Sequence, residues 1–292
     1  MKNLGALLIA FLYSVFTFGQ STPYPMEKSS LLWKIEGNGI KKGSYLFGTM
    51  HLIEKDKFFF PSRLEKIFLK SDLLVMELPG LPNQLEALKY VKLEEGTIFD
   101  FFTPEQTDSI LDWAKNDLGL GEESFRKNFE QMKPFTLVQM GTQLHFAGKT
   151  ESYEMTFEKL ARENKIKVDG LETIGDQMKI FDDLTKEQQA EMVMSTVRDP
   201  HEGIEVTEKM MEVYGNQEID SLYMMIEEEG GVLSEEQSKF LDERNKKWIP
   251  KIEAYMKENK TFIAVGAGHL GGPNGVIRLL EQAGYTVTPV AL

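Results

Sequence analysis

The chain has 292 residues, 33 basic against 46 acidic side chains for a net charge of −13, 41% apolar residues and no cysteine. The acidic balance argues against nucleic acid and anionic lipid as partners. The missing cysteine excludes disulfides, a lipidated leader, thiol catalysis and cysteine metal sites.

Lys2, the apolar run Leu4 to Phe18, then Gly19, Gln20 and Ser21 follow the order of a secretory signal peptide. The run is shorter than the roughly 20 residues a membrane span needs. The expectation is a signal peptide over 1–20 and an exported mature chain, periplasmic or secreted, with no stable membrane insertion. Removing Lys2 and no acid leaves 32 basic against 46 acidic residues. With no linker rich in Pro, Gly or Ser, residues 21–292 read as a single α/β domain. Its expected centre is a mixed, mostly parallel sheet with helices on both faces.

Leu31–Ile35 and Ser44–Phe47 flank Gly37-Asn38-Gly39 and predict a hairpin. Ser62–Lys70 has helical spacing, with Ser62 as the expected cap behind Pro61. Leu73–Met76 is a continuous apolar run leading into Glu77-Leu78-Pro79, which suits a strand covered on both faces. Ile166–Val168 leads into Gly170-Leu171-Glu172. Long helical stretches, rich in Glu, Lys, Gln, Met and Leu, are expected at about 83–164 and 175–260. The final unit reads strand (261–265), Gly-rich turn (266–275), helix (276–282) and strand (285–290), consistent with a parallel pairing.

Four of these strands end in a chemistry-bearing residue: His51, Glu77, Glu172 and His269. Open α/β sheets bind ligands at the carboxyl ends of their strands, so neighbouring strands would bring two imidazoles and two carboxylates to one rim. That set suits a divalent ion such as Mn, Co or Zn, with His51, Glu77 and His269 as candidate ligands. A free carboxylate such as Glu77 would then accept a proton. Gly48 and Gly266 are expected to take backbone angles closed to other residues. Gly268, Gly271 and Gly272 would let the backbone approach a ligand near the helix from Val276. His145, in a helix over 136–146, reads as packing or surface, and His201 as a loop residue. The run Glu227–Glu229 reads as a solvated helix end, and the many methionines as helix core.

Several stretches together resemble the TraB/GumN family, which includes the Tiki metalloproteases. They are Leu32-Trp33-Lys34-Ile35, Tyr45 through Leu52, Glu77-Leu78-Pro79, Ala161 through Thr173 with Gln177, Arg244-Asn245-Lys246-Lys247-Trp248, and Val265 through Val276. The resemblance implies a sheet-centred α/β fold shared distantly with erythromycin-esterase-like and ChaN-like proteins. It implies an active site formed by His51, His269 and Glu77, with Arg244 and Asn245 facing the same cleft. In Tiki proteins that site is a metalloprotease site using an ion such as Mn or Co. This chain has Ser152-Tyr153-Glu154 where the family commonly has Gly-x-Asp, with the acid retained.

The resulting expectation is an exported metal-dependent hydrolase acting on a peptide or small molecule, most plausibly a Tiki-like peptidase. Its site residues are His51, Glu77, Glu172, Arg244, Asn245 and His269, with Gly48, Gly266 and Gly268 against the bound group. Two alternatives use the same histidines: a metal-independent His/Glu esterase or amidase, and a binding protein that ligates a captured cofactor such as haem.

Overall fold

Leu32–Gly37 (β1) and Ser44–Thr49 (β2) form the expected hairpin, antiparallel with Trp33 opposite Leu46. Gly37, Asn38 and Gly39 turn the chain with positive φ. Thr261–Gly266 (β7) runs parallel to β2 on one side and to Leu73–Met76 (β4) on the other. Lys167–Gly170 (β6) is parallel to β4, and Tyr285–Val290 (β8) is antiparallel to β1. The sheet order is β6-β4-β7-β2-β1-β8, so it is mixed and mostly parallel. β4 is buried at every residue and β7 at all but its last, as in strands covered on both faces. Rings of Phe47, Phe68, Phe157 and Phe262 pack there with centroids 5.0–6.3 Å apart.

This computed structural model describes residue 26 and residues 28–80, 84–229 and 241–292. The expected signal peptide, the first residue of the 83–164 stretch and residues 230–240 of the second lie outside the described residues.

Several expectations change. β7 and β8 run in the same direction but do not pair, because β2 and β1 lie between them; the helix joining them is Val276–Gln282, as expected. Helix α1 is Ser62–Phe68, and its cap position belongs to Pro61; Ser62 is its first helical residue.

The two helical stretches are series of short helices. The first holds Gln84–Val91 (α2), Pro104–Asn116 (α3), Glu122–Phe129 (α4), Phe135–His145 (α5) and Tyr153–Asn164 (α6). The second holds Ile174–Asp182 (α7), Lys186–Arg198 (α8), Glu202–Gly215 (α9), Ile219–Glu229 (α10) and Glu243–Glu258 (α11). The helix from Val276 is therefore α12. Capping boxes at Thr103, Thr173 and Thr185 start α3, α7 and α8, satisfying N–H groups that a continuous helix would have used.

A second core of Ile98, Trp113, Phe125, Leu137, Val193 and Met194 holds α3, α4, α5 and α8 together. Met192, Met194, Met211 and Met225 are buried, whereas Met224 is exposed. His145, His201, Glu227 and Glu228 lie on the surface.

One element has no counterpart in the expectations. Ile53–Glu54 (β3) pairs antiparallel with Thr150–Glu151 (β5). Two residues per strand are too few to leave a periodic signal. The pairing ties the segment after His51 to the start of α6.

Candidate active site

The four adjacent parallel strands β6, β4, β7 and β2 deliver Glu172, Glu77, His269 and His51 to one end of the sheet. Glu77 occupies the centre. Its Oε1 lies 3.8 Å from His51 Nε2 and 3.8 Å from His269 Nε2. The Gly266 N–H donates to that oxygen at 2.9 Å. Glu77 Oε2 faces the other way and accepts from Arg244 Nη2 at 2.6 Å and from Gln177 Nε2 at 3.1 Å.

His269 belongs to the buried framework, with 5% of its side chain exposed. Its Nδ1 lies 2.7 Å from Asn245 Oδ1. Asn245 Nδ2 donates to the carbonyls of His269 and Asn274, which leaves Oδ1 as the acceptor. The proton must therefore sit on Nδ1, and Nε2 presents a lone pair toward Glu77. Burial, reinforced by Arg244, pushes this imidazole down to about 3, so it is neutral.

His51 carries the same motif in a different setting, with 66% of its side chain exposed. Glu154, at the start of α6, lies 2.9 Å from its Nδ1 and is itself held by Thr49 Oγ1 and Ser152 Oγ. Desolvation on the inner face of the ring opposes protonation. The Glu154 hydrogen bond and the charges of Glu77 and Glu154 prevail and raise the imidazole to about 9. Burial also works against the charge of Glu77, but the charges of Arg244 and His51 and the Gly266 N–H hold its carboxyl below the ordinary carboxylate range.

Glu172 is fully engaged. Oε1 accepts from Gln177 and Arg244, and Oε2 from Arg244 Nε and Trp248 Nε1. It faces Arg244 rather than the histidines, so its placement suits anchoring the guanidinium. Arg244 thus bridges two buried carboxylates and lies over the Trp248 ring, 4.9 Å from the centroid. Trp248 in turn packs on His269, with ring centroids 4.4 Å apart.

The glycines serve packing more than conformation. Neither Gly48 nor Gly266 has a positive φ, which corrects the expected glycine-only angles; Gly266 sits at φ −51, ψ 136. A Cβ on Gly48 would lie 3.0 Å from the Ala267 Cα. One on Gly266 would enter the site, 3.3 Å from Glu77 Oε1 and 3.8 Å from His51 Nε2. Cβ atoms on Gly268, Gly271 and Gly272 would strike Ile226, Ile219 and Tyr223, so these glycines admit α10 rather than a ligand. The N-terminus of α12 is likewise closed in: the Gly272 N–H donates to Asp220, and Arg278 donates to the Gly272 carbonyl.

Among the described residues, no group of three His, Asp or Glu side chains is gathered closely enough to hold an ion without movement. The donor chemistry nevertheless fits one. Both Nδ1 atoms are committed to a carboxylate or amide oxygen, the arrangement that orients imidazole ligands. Two Nε2 atoms converge on one carboxylate oxygen at 3.8 Å, where ligands about one ion stand about 3.4 Å apart.

Gln177 and Glu154 are the site residues the motif reading passed over. Both lay in view, Gln177 downstream of the Gly-Leu-Glu strand and Glu154 as the retained acid of the divergent turn. No curated protein and no solved structure matches the chain. The TraB/PrgY/gumN family model matches residues 31–289, nearly the whole chain, and the protein belongs to that family.

Proposed function

We propose that the chain is a metal-dependent hydrolase of amide or peptide bonds, with His51, His269 and Glu77 holding a divalent ion. The observation that carries this reading is the approach of two Nε2 atoms to one Glu77 oxygen, each imidazole oriented through its Nδ1. Charge supports it. The cluster holds three carboxylates, Glu77, Glu154 and Glu172, against the guanidinium of Arg244, which pairs with Glu77 and Glu172, and a dication with both imidazoles neutral balances it.

The bound ion supplies Lewis acidity to the scissile carbonyl and to water. Asn245 keeps the His269 lone pair inward, and Glu154 does the same for His51. Arg244 and Gln177 occupy Glu77 Oε2, so that Oε1 alone faces the histidines. A carboxyl held below the ordinary range by Arg244 suits a ligand better than a base, so of the two roles expected for Glu77 this reading takes the ligand. Both imidazoles face one carboxylate oxygen, a hard donor that suits a divalent ion, and this disfavours the haem reading. The apolar run Leu4 to Phe18 supports export of the mature enzyme.

The test is metal analysis of protein purified without chelator, paired with turnover of a fluorogenic peptide library. Mn, Co or Zn should bind in about one equivalent, and EDTA should abolish turnover. His269→Ala and Glu77→Gln should lose both. Absence of any bound ion, with turnover indifferent to EDTA and to His269→Ala, sinks the metal reading in favour of a metal-free His/Glu hydrolase.

A further inference from the structure

A cavity of about 210 Å³ lies between α7 and α11, on the far side of Glu172 and Arg244 from the histidines. Its floor is apolar and buried, formed by Leu171, Leu184 and Trp248. Its wall is one face of α11, where Arg244, Lys247, Trp248 and Lys251 recur at helical spacing. With Lys179 the bases make four cations in the lining, against four acids, Glu172, Asp176, Asp183 and Glu243, so what the cavity can bind depends on which of these groups are already engaged.

The acids that line the cavity are mostly engaged. Glu172 is held by Arg244, Gln177 and Trp248. Asp176 accepts from the N–H and hydroxyl of Thr173 in the α7 capping box, and Asp183 pairs with Lys179. Lys247 reaches Glu243 only at 4.0 Å, and Lys251 donates to the Leu171 carbonyl, leaving both ammonium groups with donors to spare. Lys251 and Lys247 also face the Asp176 carboxylate, whose pKa is lowered first by its Thr173 hydrogen bonds and then by these two charges.

We propose that this cavity is a substrate subsite that takes a carboxylate of a bound peptide, either an acidic side chain or the chain terminus. The apolar floor accepts the aliphatic part and Lys247 and Lys251 receive the charge. The inference rests on the hydrolase reading for its position relative to the chemistry. From β7 to β6 is two strand spacings, about 10 Å. An extended peptide advances about 3.3 Å per residue, so the carboxylate falls about three residues from the scissile bond.

The experiment follows the Trp248 indole N–H by NMR while three probes are titrated into the full protein. N-acetyl-glutamate N-methylamide carries a side-chain carboxylate only, N-acetyl-alanine a terminal one only, and N-acetyl-glutamine N-methylamide neither. At least one carboxylate probe should bind about five-fold more tightly than the neutral one, the scale that two partly exposed ion pairs supply; the tighter of the two identifies the source. Lys247→Glu should remove most of that preference, and Lys247→Glu with Lys251→Gln all of it. Bound metal, measured on the same samples, should be unchanged. Equal binding of the three probes, or a preference that survives the double variant, overturns the subsite. Absent metal with the preference intact overturns the hydrolase reading and leaves the carboxylate site standing.

Discussion

His269 and His51 close the same Gly-x-x-His motif on neighbouring parallel strands, yet the two halves of the rim are built differently. His269 is 5% exposed and is held by the Asn245 amide from α11, with its imidazole pushed down to about 3. His51 is 66% exposed and is held by the Glu154 carboxylate from α6, with its imidazole raised to about 9. The motif sets where each ring stands. What surrounds each ring sets its charge: burial and Arg244 keep His269 neutral, whereas the Glu154 hydrogen bond and the nearby carboxylates protonate His51. An amide partner in a dry setting leaves a lone pair on the other ring nitrogen, whereas a carboxylate partner near solvent gives a ring that carries a proton at neutral pH.

If the His269 half is framework, its failure should be structural as well as chemical. Asn245→Leu strips the His269 ring and the carbonyls of His269 and Asn274 of their partners at a fully buried position. The expected cost is about 3 kcal/mol in denaturant unfolding, with a 10–100-fold loss of metal affinity. A cost below about 1 kcal/mol would break the contrast between the halves.

Gly266 lies between the two halves and tests the site without unfolding it. Its backbone angles admit alanine, but the added Cβ would stand 3.3 Å from Glu77 Oε1 and 3.8 Å from His51 Nε2. Gly266→Ala should weaken metal binding about ten-fold, read by competition with a chromophoric chelator, while stability stays within about 1 kcal/mol. Unchanged affinity would mean that the space in front of Gly266 is not where the donors meet.

The centre of the sheet was legible because β4 and β7 are near-continuous apolar runs leading into Glu77 and the Gly-rich turn of His269. β4 and β7 announce their burial on both faces, and with it the rim that gathers His51, Glu77, Glu172 and His269. The helix-borne hydrogen-bond partners of the site were not legible as such. Glu154 meets His51 across 103 residues, and Gln177 meets Glu77 across 100. Both come from helices whose spacing records only a solvent face and a core face. Glycine roles were misread for a related reason. A sequence shows that a side chain is missing, but whether angle or space demands it depends on what packs there: Ala267 against Gly48 and α10 against Gly268 and Gly271 demand space, whereas Gly272 also takes a φ of +80. Glu172 looked like a second site carboxylate, and only the positions of Arg244, Gln177 and Trp248 show how fully it is engaged.

The smallest expected effect tests the His51 half alone, in protein stripped of metal. In the folded chain the His51 imidazole stands at about 9, above its ordinary value of 6.5. A raised value stabilises the fold fully below pH 6.5, and that stabilisation disappears as pH climbs from 6.5 through 9. Across this window Glu77 stays ionised, Glu154, held below the ordinary carboxylate range, stays ionised, and His269 stays neutral. Within the cluster, then, the slope belongs to His51. Glu154→Gln removes the hydrogen-bonded charge that raises His51 and should flatten the wild-type decline between pH 6.5 and 9. Because the ring is two-thirds open to solvent, the difference between the two proteins should stay below about 1 kcal/mol. Unfolding curves of both proteins in EDTA, taken at either end of the window, read it directly. Identical slopes would show that Glu154 does not set the charge of His51, and the opposition between the two halves would lose its electrostatic basis.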